Sequence, residues 1–129
     1  MKLSPLEELN SWNERFVSFN DAVLKSWAVK FAPSAPFLEV VIEAQDQDSP
    51  SGWSLVTMHL SSISSLKFCE GPKTSYQVLS NGLHILFDPV RIALEFGDFI
   101  DAPESFSELM ESPCHVVAES LDWDVQFIP

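Results

Sequence analysis

The closing stretch of this chain alternates without a break: Leu121, Trp123, Val125 and Phe127 are apolar, and Asp122, Asp124 and Gln126 between them are polar or charged. Successive side chains of an extended strand point to opposite faces, so a period of two marks a strand with one face in the core and one in water. The pattern recurs upstream. Over residues 37–44, Leu38, Val40 and Ile42 form an apolar series and Glu39, Val41 and Glu43 lie on the other face. Over residues 53–60, Ser54, Val56, Met58 and Leu60 oppose Trp53, Leu55, Thr57 and His59. Apolar residues on both of those faces predict a more central strand. After Asp21, Val23, Trp27, Val29 and Phe31 oppose Leu24, Ser26, Ala28 and Lys30, with Lys25 out of step. Residues 63–70 read as a further strand through Ile63, Leu66 and Phe68.

Turn residues separate these segments. Neither Pro33 nor Pro36 can donate to a ladder, so residues 32–36 are expected to be a turn. Residues 45–52 are polar, acidic and punctuated by Pro50 and Gly52, which marks a loop. Asn81-Gly82 between strand-formers predicts a two-residue type I′ hairpin joining residues 76–80 to 83–87. Asp88-Pro89 turns the chain again into residues 91–96, where Ile92, Leu94 and Phe96 point one way and Arg91, Ala93 and Glu95 the other.

Two segments carry helix signals. Ser4-Pro5-Leu6-Glu7 offers an N-cap, a proline at the first helical position and a glutamate three residues after the cap. Leu6, Leu9, Trp12 (or Asn13) and Phe16 then recur at helical spacing, exposing Glu7, Glu8 and Arg15. Residues 101–108 hold two overlapping capping boxes and predict a short helix to Glu111, ended by Ser112-Pro113. The expected architecture is one α+β domain over residues 1–129: a curled, mainly antiparallel meander of about six to eight strands, an N-terminal helix, and a short helix before the last strand at 114–127.

Ten Phe and four Trp in 129 residues supply a core. No apolar run approaches the roughly 20 residues of a membrane helix, and residues 1–10 lack the apolar centre of a secretory signal. The expected compartment is the cytoplasm. Cys69 and Cys114 sit in apolar, strand-like segments and read as reduced, buried thiols, with a disulfide open only to neighbouring strands.

Nineteen acids against seven bases give a net charge of −12, and the acids are interspersed with apolar residues. A folded body with that surface repels nucleic acid and anionic lipid and attracts basic proteins. Asp98, Asp101, Glu104, Glu108 and Glu111 gather around the second predicted helix, and the last three share one helix face. They are the candidate partner-binding residues. Glu119, Asp122 and Asp124 form another group, and Asp46 with Asp48 a third. The last pair hints at a calcium loop, but the glycine and glutamate such a loop needs at its sixth and twelfth places are missing, so a solvated acidic loop is expected.

Catalytic equipment is hard to find. Cys114 and His115 are adjacent in a strand and point apart, so they cannot form a thiol–imidazole pair. His59, His84 and His115 lie on three strands without metal-ligand spacing. The nucleophile motifs of acyl hydrolases are absent, and only four glycines leave no phosphate-cradling loop. The expectation is a non-enzymatic acidic protein-binding domain with no cofactor and no metal. The alternatives are a structural or homo-oligomeric assembly protein joined through edge strands, and a small metal-dependent hydrolase if the three histidines converge.

Three stretches carry a resemblance: Phe19-Asn20-Asp21-Ala22-Val23-Leu24, Gln77-Val78-Leu79-Ser80-Asn81-Gly82, and Ser120-Leu121-Asp122-Trp123-Asp124-Val125. Over residues 19–125 the layout resembles a class of small, largely uncharacterised bacterial proteins, some of which are similar to immunity proteins of toxin systems. The resemblance is one of pattern and turn residues. It implies a small cytoplasmic protein that binds a basic toxin domain; it brings no catalytic signature and assigns no site residue.

Overall fold

The computed structural model describes residues 7–31, 33, 35–69, 78–97 and 99–129. In chain order the elements are α1 (Glu7–Arg15), β1 (Ala22–Phe31), β2 (Pro36–Gln45), β3 (Trp53–Ser61), β4 (Ser65–Phe68), β5 (Val78–Leu79), β6 (Leu83–Phe87), β7 (Ile92–Phe96), α2 (Phe106–Leu109), β8 (Cys114–Ala118) and β9 (Ser120–Phe127). The architecture is α+β and the sheets are antiparallel. Nine strands among the described residues form a five-stranded sheet, β5-β1-β2-β3-β9, and a four-stranded sheet, β4-β8-β7-β6. No described helix is long and apolar enough to cross a membrane.

One bent ribbon joins the sheets. β3 pairs with β9 up to Ser61 opposite Ser120, and β4 takes up the pairing with β8 from Ser65 opposite Val117. At the bend Glu119 N–H donates to Ser61 O and Ser64 N–H to Val117 O. Residues 62–64 therefore stand against only Ala118 and Glu119. The longer path lies on one arm of the corner, and Ser62 takes φ 57° to make it. The expected strand over 114–127 thus crosses from one sheet to the other at Glu119, and the expected curl is concentrated at this corner.

Inside the corner the two sheets share one core. Leu38, Val40 and Ile42 of β2, Val56, Met58 and Leu60 of β3, Leu94 and Phe96 of β7, and Val116 of β8 are buried together. Trp27 of β1 reaches across, 5.1 Å from the Phe96 ring and 5.0 Å from the Phe68 ring. Lys25 was out of step with the alternation because it is the extra residue of a β-bulge: the register shifts between Leu24 and Ser26. The bulge inverts the faces, so Leu24, and not Val23, joins Trp27 and Val29 against the core.

α1 closes one end with aromatic side chains. Trp12 and Phe16 are buried and meet Phe19 and Trp123 at ring separations of 4.8–5.8 Å. The capping residues Ser4, Pro5 and Leu6 lie outside the described residues. Beyond the helix, Val17, Ser18 and Phe19 take φ values of 53–58°, a left-handed turn that costs L-residues conformational energy. The turn drives Phe19 into the core and leaves Ser18 at the surface.

The Asn81-Gly82 turn departs from the hairpin expectation. Gly82 N–H donates to Leu79 O, but Val78–Leu79 pairs with β1 and Leu83–Phe87 pairs with β7. The turn carries the chain from one sheet to the other, and only Gly82 of the pair has positive φ. Asn81 Nδ2 anchors it by donating to Gly97 O. A Cβ at Gly82 would lie 2.3 Å from Ser18 O, so no other residue fits against the left-handed turn. Tyr76 and Gln77 lie outside the described residues. The tight hairpin of this region is instead β6–β7, where Asp88 Oδ1 accepts from the N–H groups of Val90 and Arg91.

β7 and β8 are buried along their whole length. One face of each looks into the shared core. The other lies under residues 99–113, which include α2: Leu109 and Phe106 pack on Ala93, Val117 and Leu86.

Candidate functional site

The covered face of the four-stranded sheet holds a row of ionisable side chains. Register sets His84 of β6 opposite Glu95 of β7, and Glu95 opposite His115 of β8. The sequence pattern put Glu95 on the face away from the core, which is correct, but that face is not wet. Glu95 is fully buried, because residues 99–113 lie over it. Its Oε2 meets His84 Nδ1 at 2.8 Å, and its Oε1 accepts from Ser112 Oγ at 3.1 Å and from Phe99 N–H at 3.3 Å. A carboxylate only accepts, so the proton of this pair belongs on His84 Nδ1. Nε2 is then left as a lone-pair acceptor, the arrangement in which a carboxylate orients an imidazole.

His115 is buried and held differently. Its Nδ1 donates to Ser112 O at 2.7 Å, so Nε2 accepts from Ser65 Oγ at 3.0 Å. These bonds tie the edge strand β4 to β8. Cys114, next in sequence, points into the shared core, as the strand geometry required. His59 stands apart on β3, 3.8 Å from Glu39. The three histidines do not converge, and the described residues contain no group of three or more His, Cys, Asp or Glu set to hold a metal ion. Neither cysteine is in a disulfide. Cys114 is buried as expected, whereas Cys69 is exposed just past β4, contrary to the expectation.

His84 opens onto a cleft of about 360 Å³. Asn13 of α1, Ser18, Asn20 and Asn81 supply its polar wall; Leu83, Ile85, Leu86, Ile100, Ala102 and Pro103 supply the apolar one. Asn13 Oδ1 is buried there without a hydrogen-bond partner. The helical spacing left Trp12 and Asn13 as alternatives for the inner face; Trp12 took the core and Asn13 the cleft.

Two of the acidic candidates, Asp101 and Glu104, are chain neighbours of the lining residues Ile100, Ala102 and Pro103. Asp101, Glu104, Glu108 and Glu111 are all exposed on the segment that covers the sheet, and none has a cationic partner among the described residues. Asp98 lies outside the described residues. The expectation that Glu104, Glu108 and Glu111 share a helix face fails, since α2 spans only Phe106–Leu109. The capping box does form around Ser105: its Oγ accepts from Glu108 N–H, and Glu108 Oε2 accepts from Glu104 N–H. Glu108 therefore also holds the backbone.

The other acidic groups differ. Asp122 and Asp124 project from the outer face of β9, which is exposed. Asp46 is not a solvated loop residue: it is 1% exposed, with Oδ1 accepting from Arg15 Nε at 2.9 Å and Oδ2 from Arg15 at 3.1 Å and from Ser54 Oγ. Burial pushes its carboxyl up, but the hydrogen bonds from Arg15, Ser54 and Asp48 N–H outweigh burial and hold it below the ordinary carboxylate range. Arg15, expected to be exposed, is spent on this pair and stacks 4.9 Å from the Phe16 ring. Neither residue is available to calcium or to a partner.

Comparison with known proteins finds no matching family model, no matching curated protein and no matching solved structure.

Proposed function

We propose that this chain is a non-enzymatic, acidic protein-binding domain of the cytoplasm that docks a basic protein surface, as an immunity protein occludes a basic toxin. The observation that carries the reading is the set of four exposed carboxylates, Asp101, Glu104, Glu108 and Glu111, on one covering segment, with no salt-bridge partner among the described residues. In a chain of net charge −12 with only seven bases, such a surface steers cationic partners by its field. Elsewhere the acids are more often neutralised from within: Glu39 lies 3.9 Å from Lys30, and Glu43 lies 3.2 Å from Lys25.

Association kinetics test it. A basic protein recovered on the chain at low ionic strength is expected to associate more slowly as salt rises. A further loss of about tenfold or more is expected in the triple variant Asp101→Lys/Glu104→Lys/Glu111→Lys, and little in Asp122→Lys/Asp124→Lys. A rate indifferent to salt and to both reversals overturns the reading. Self-association through an edge is the second reading. It is favoured by β4, an edge strand that leaves Leu66 and Phe68 more than a third exposed. Light scattering over a concentration series separates a self-associating chain from a monomer.

A further inference from the structure

The cleft beside residues 100–103 has a polar wall of neutral side chains, Asn13, Ser18, Asn20 and Asn81, with acceptors to spare. Asn13 Oδ1 is buried and unpartnered. His84 gives its Nδ1–H to buried Glu95, and no described residue bonds its Nε2. No lysine or arginine lines the cleft, and the carboxylate of Glu95 stands behind the imidazole. An anion meets the lone pair of His84 Nε2 and a negative field there. A cation with several N–H donors on an apolar stem meets what it needs: acceptors for the head, and Leu83, Ile85, Ile100 and Pro103 for the stem. The guanidinium, planar and with five donors, is the side-chain group that fits this description best. The volume, about 360 Å³, is at the small end of ligand sites and holds one such side chain.

We propose that this cleft seats an arginine side chain supplied by the basic partner, as the anchor of the acidic docking surface. The assignment rests on the partner reading above, but its test needs no partner. The chain is labelled with ¹⁵N-histidine, and the His84 ring signals are followed by NMR in mildly alkaline solution, where a free imidazole is neutral. The probes are N-acetyl-arginine methylamide, its uncharged citrulline counterpart and free arginine. A saturable shift with the capped arginine is expected, at least tenfold weaker with citrulline. The response should be lost in Asn13→Leu and in Ala102→Trp. Ala102 is exposed at the cleft rim, so the second variant blocks the site without disturbing the core. His84 signals that stay still, move equally with citrulline, or move unchanged in the Ala102→Trp variant overturn the site. Free arginine binding tenfold more tightly than the capped residue overturns the partner's side chain as its source and marks a small-molecule site. Salt-indifferent association with a basic protein, alongside a responsive His84, instead overturns the docking surface and leaves the cleft standing.

Discussion

A carboxylate in a polar loop reads as solvated until its neighbours are known, and Asp46 is such a residue. Its partner, Arg15, lies 31 positions away on α1 and was itself read as exposed. The pair shows why charges in loops are poorly legible: the long-range contact that neutralises them leaves no local pattern. Removing one member of a buried pair strands the other. Asp46→Asn is therefore expected to cost about 3 kcal/mol, at the low end of that range because the Arg15 side chain keeps 22% of its surface in water. Urea unfolding at neutral pH measures it. The pH dependence follows from the direction of the shift. A carboxyl held lower in the folded chain than in the unfolded one adds stability above its unfolded value, roughly pH 4, and loses it as pH falls through the lower folded value. The gap between wild type and Asp46→Asn should therefore close in acid and stay constant from mildly acidic to neutral pH. Glu95 makes a related point. Alternation gave its face correctly, but a period of two says nothing about what covers that face.

The elements themselves were largely legible where each is defined by its own residues. The strands over β2, β3 and β9 follow the alternation of Leu38, Val56 and Leu121 with their polar neighbours, and α2 begins at the capping box around Ser105. What failed was pairing. Asn81-Gly82 signals a turn, and a turn is there, but the strands on either side had better partners in different sheets. Lys25 signalled an irregularity without saying that it would invert the face of β1. α2 is the element whose role emerges only in three dimensions: four residues long, it anchors the cover over Glu95 by burying Leu109 on Ala93 and Val117. Leu109→Ala is expected to destabilise the fold by about 2–4 kcal/mol, the range for a buried leucine whose cavity only partly collapses. The denaturation midpoint should fall with the slope unchanged, since the surface exposed on unfolding stays nearly the same.

For the molecule as a whole, charge was the most legible property and the candidate cleft the least. The net −12 comes directly from composition, whereas the cleft joins α1, the left-handed turn, β6 and the covering segment, which no local pattern links. A charge of that size repels itself in the compact state, and salt screens such repulsion within roughly 8 Å at physiological strength. Calorimetry in rising sodium chloride should show the melting temperature climbing by a few degrees, about 1 kcal/mol for a chain of this length. A fall would mean that attractive pairs such as Arg15–Asp46 outweigh the repulsion. The corner at Glu119 bears on how this body comes apart. Residues 53–68 and 114–127 are rungs of one ladder that serves both layers, so neither layer can peel away and keep its own edge finished. Thermal transitions followed by far-UV and near-UV circular dichroism are therefore expected to coincide, and a separation of the two would show one layer melting before the other.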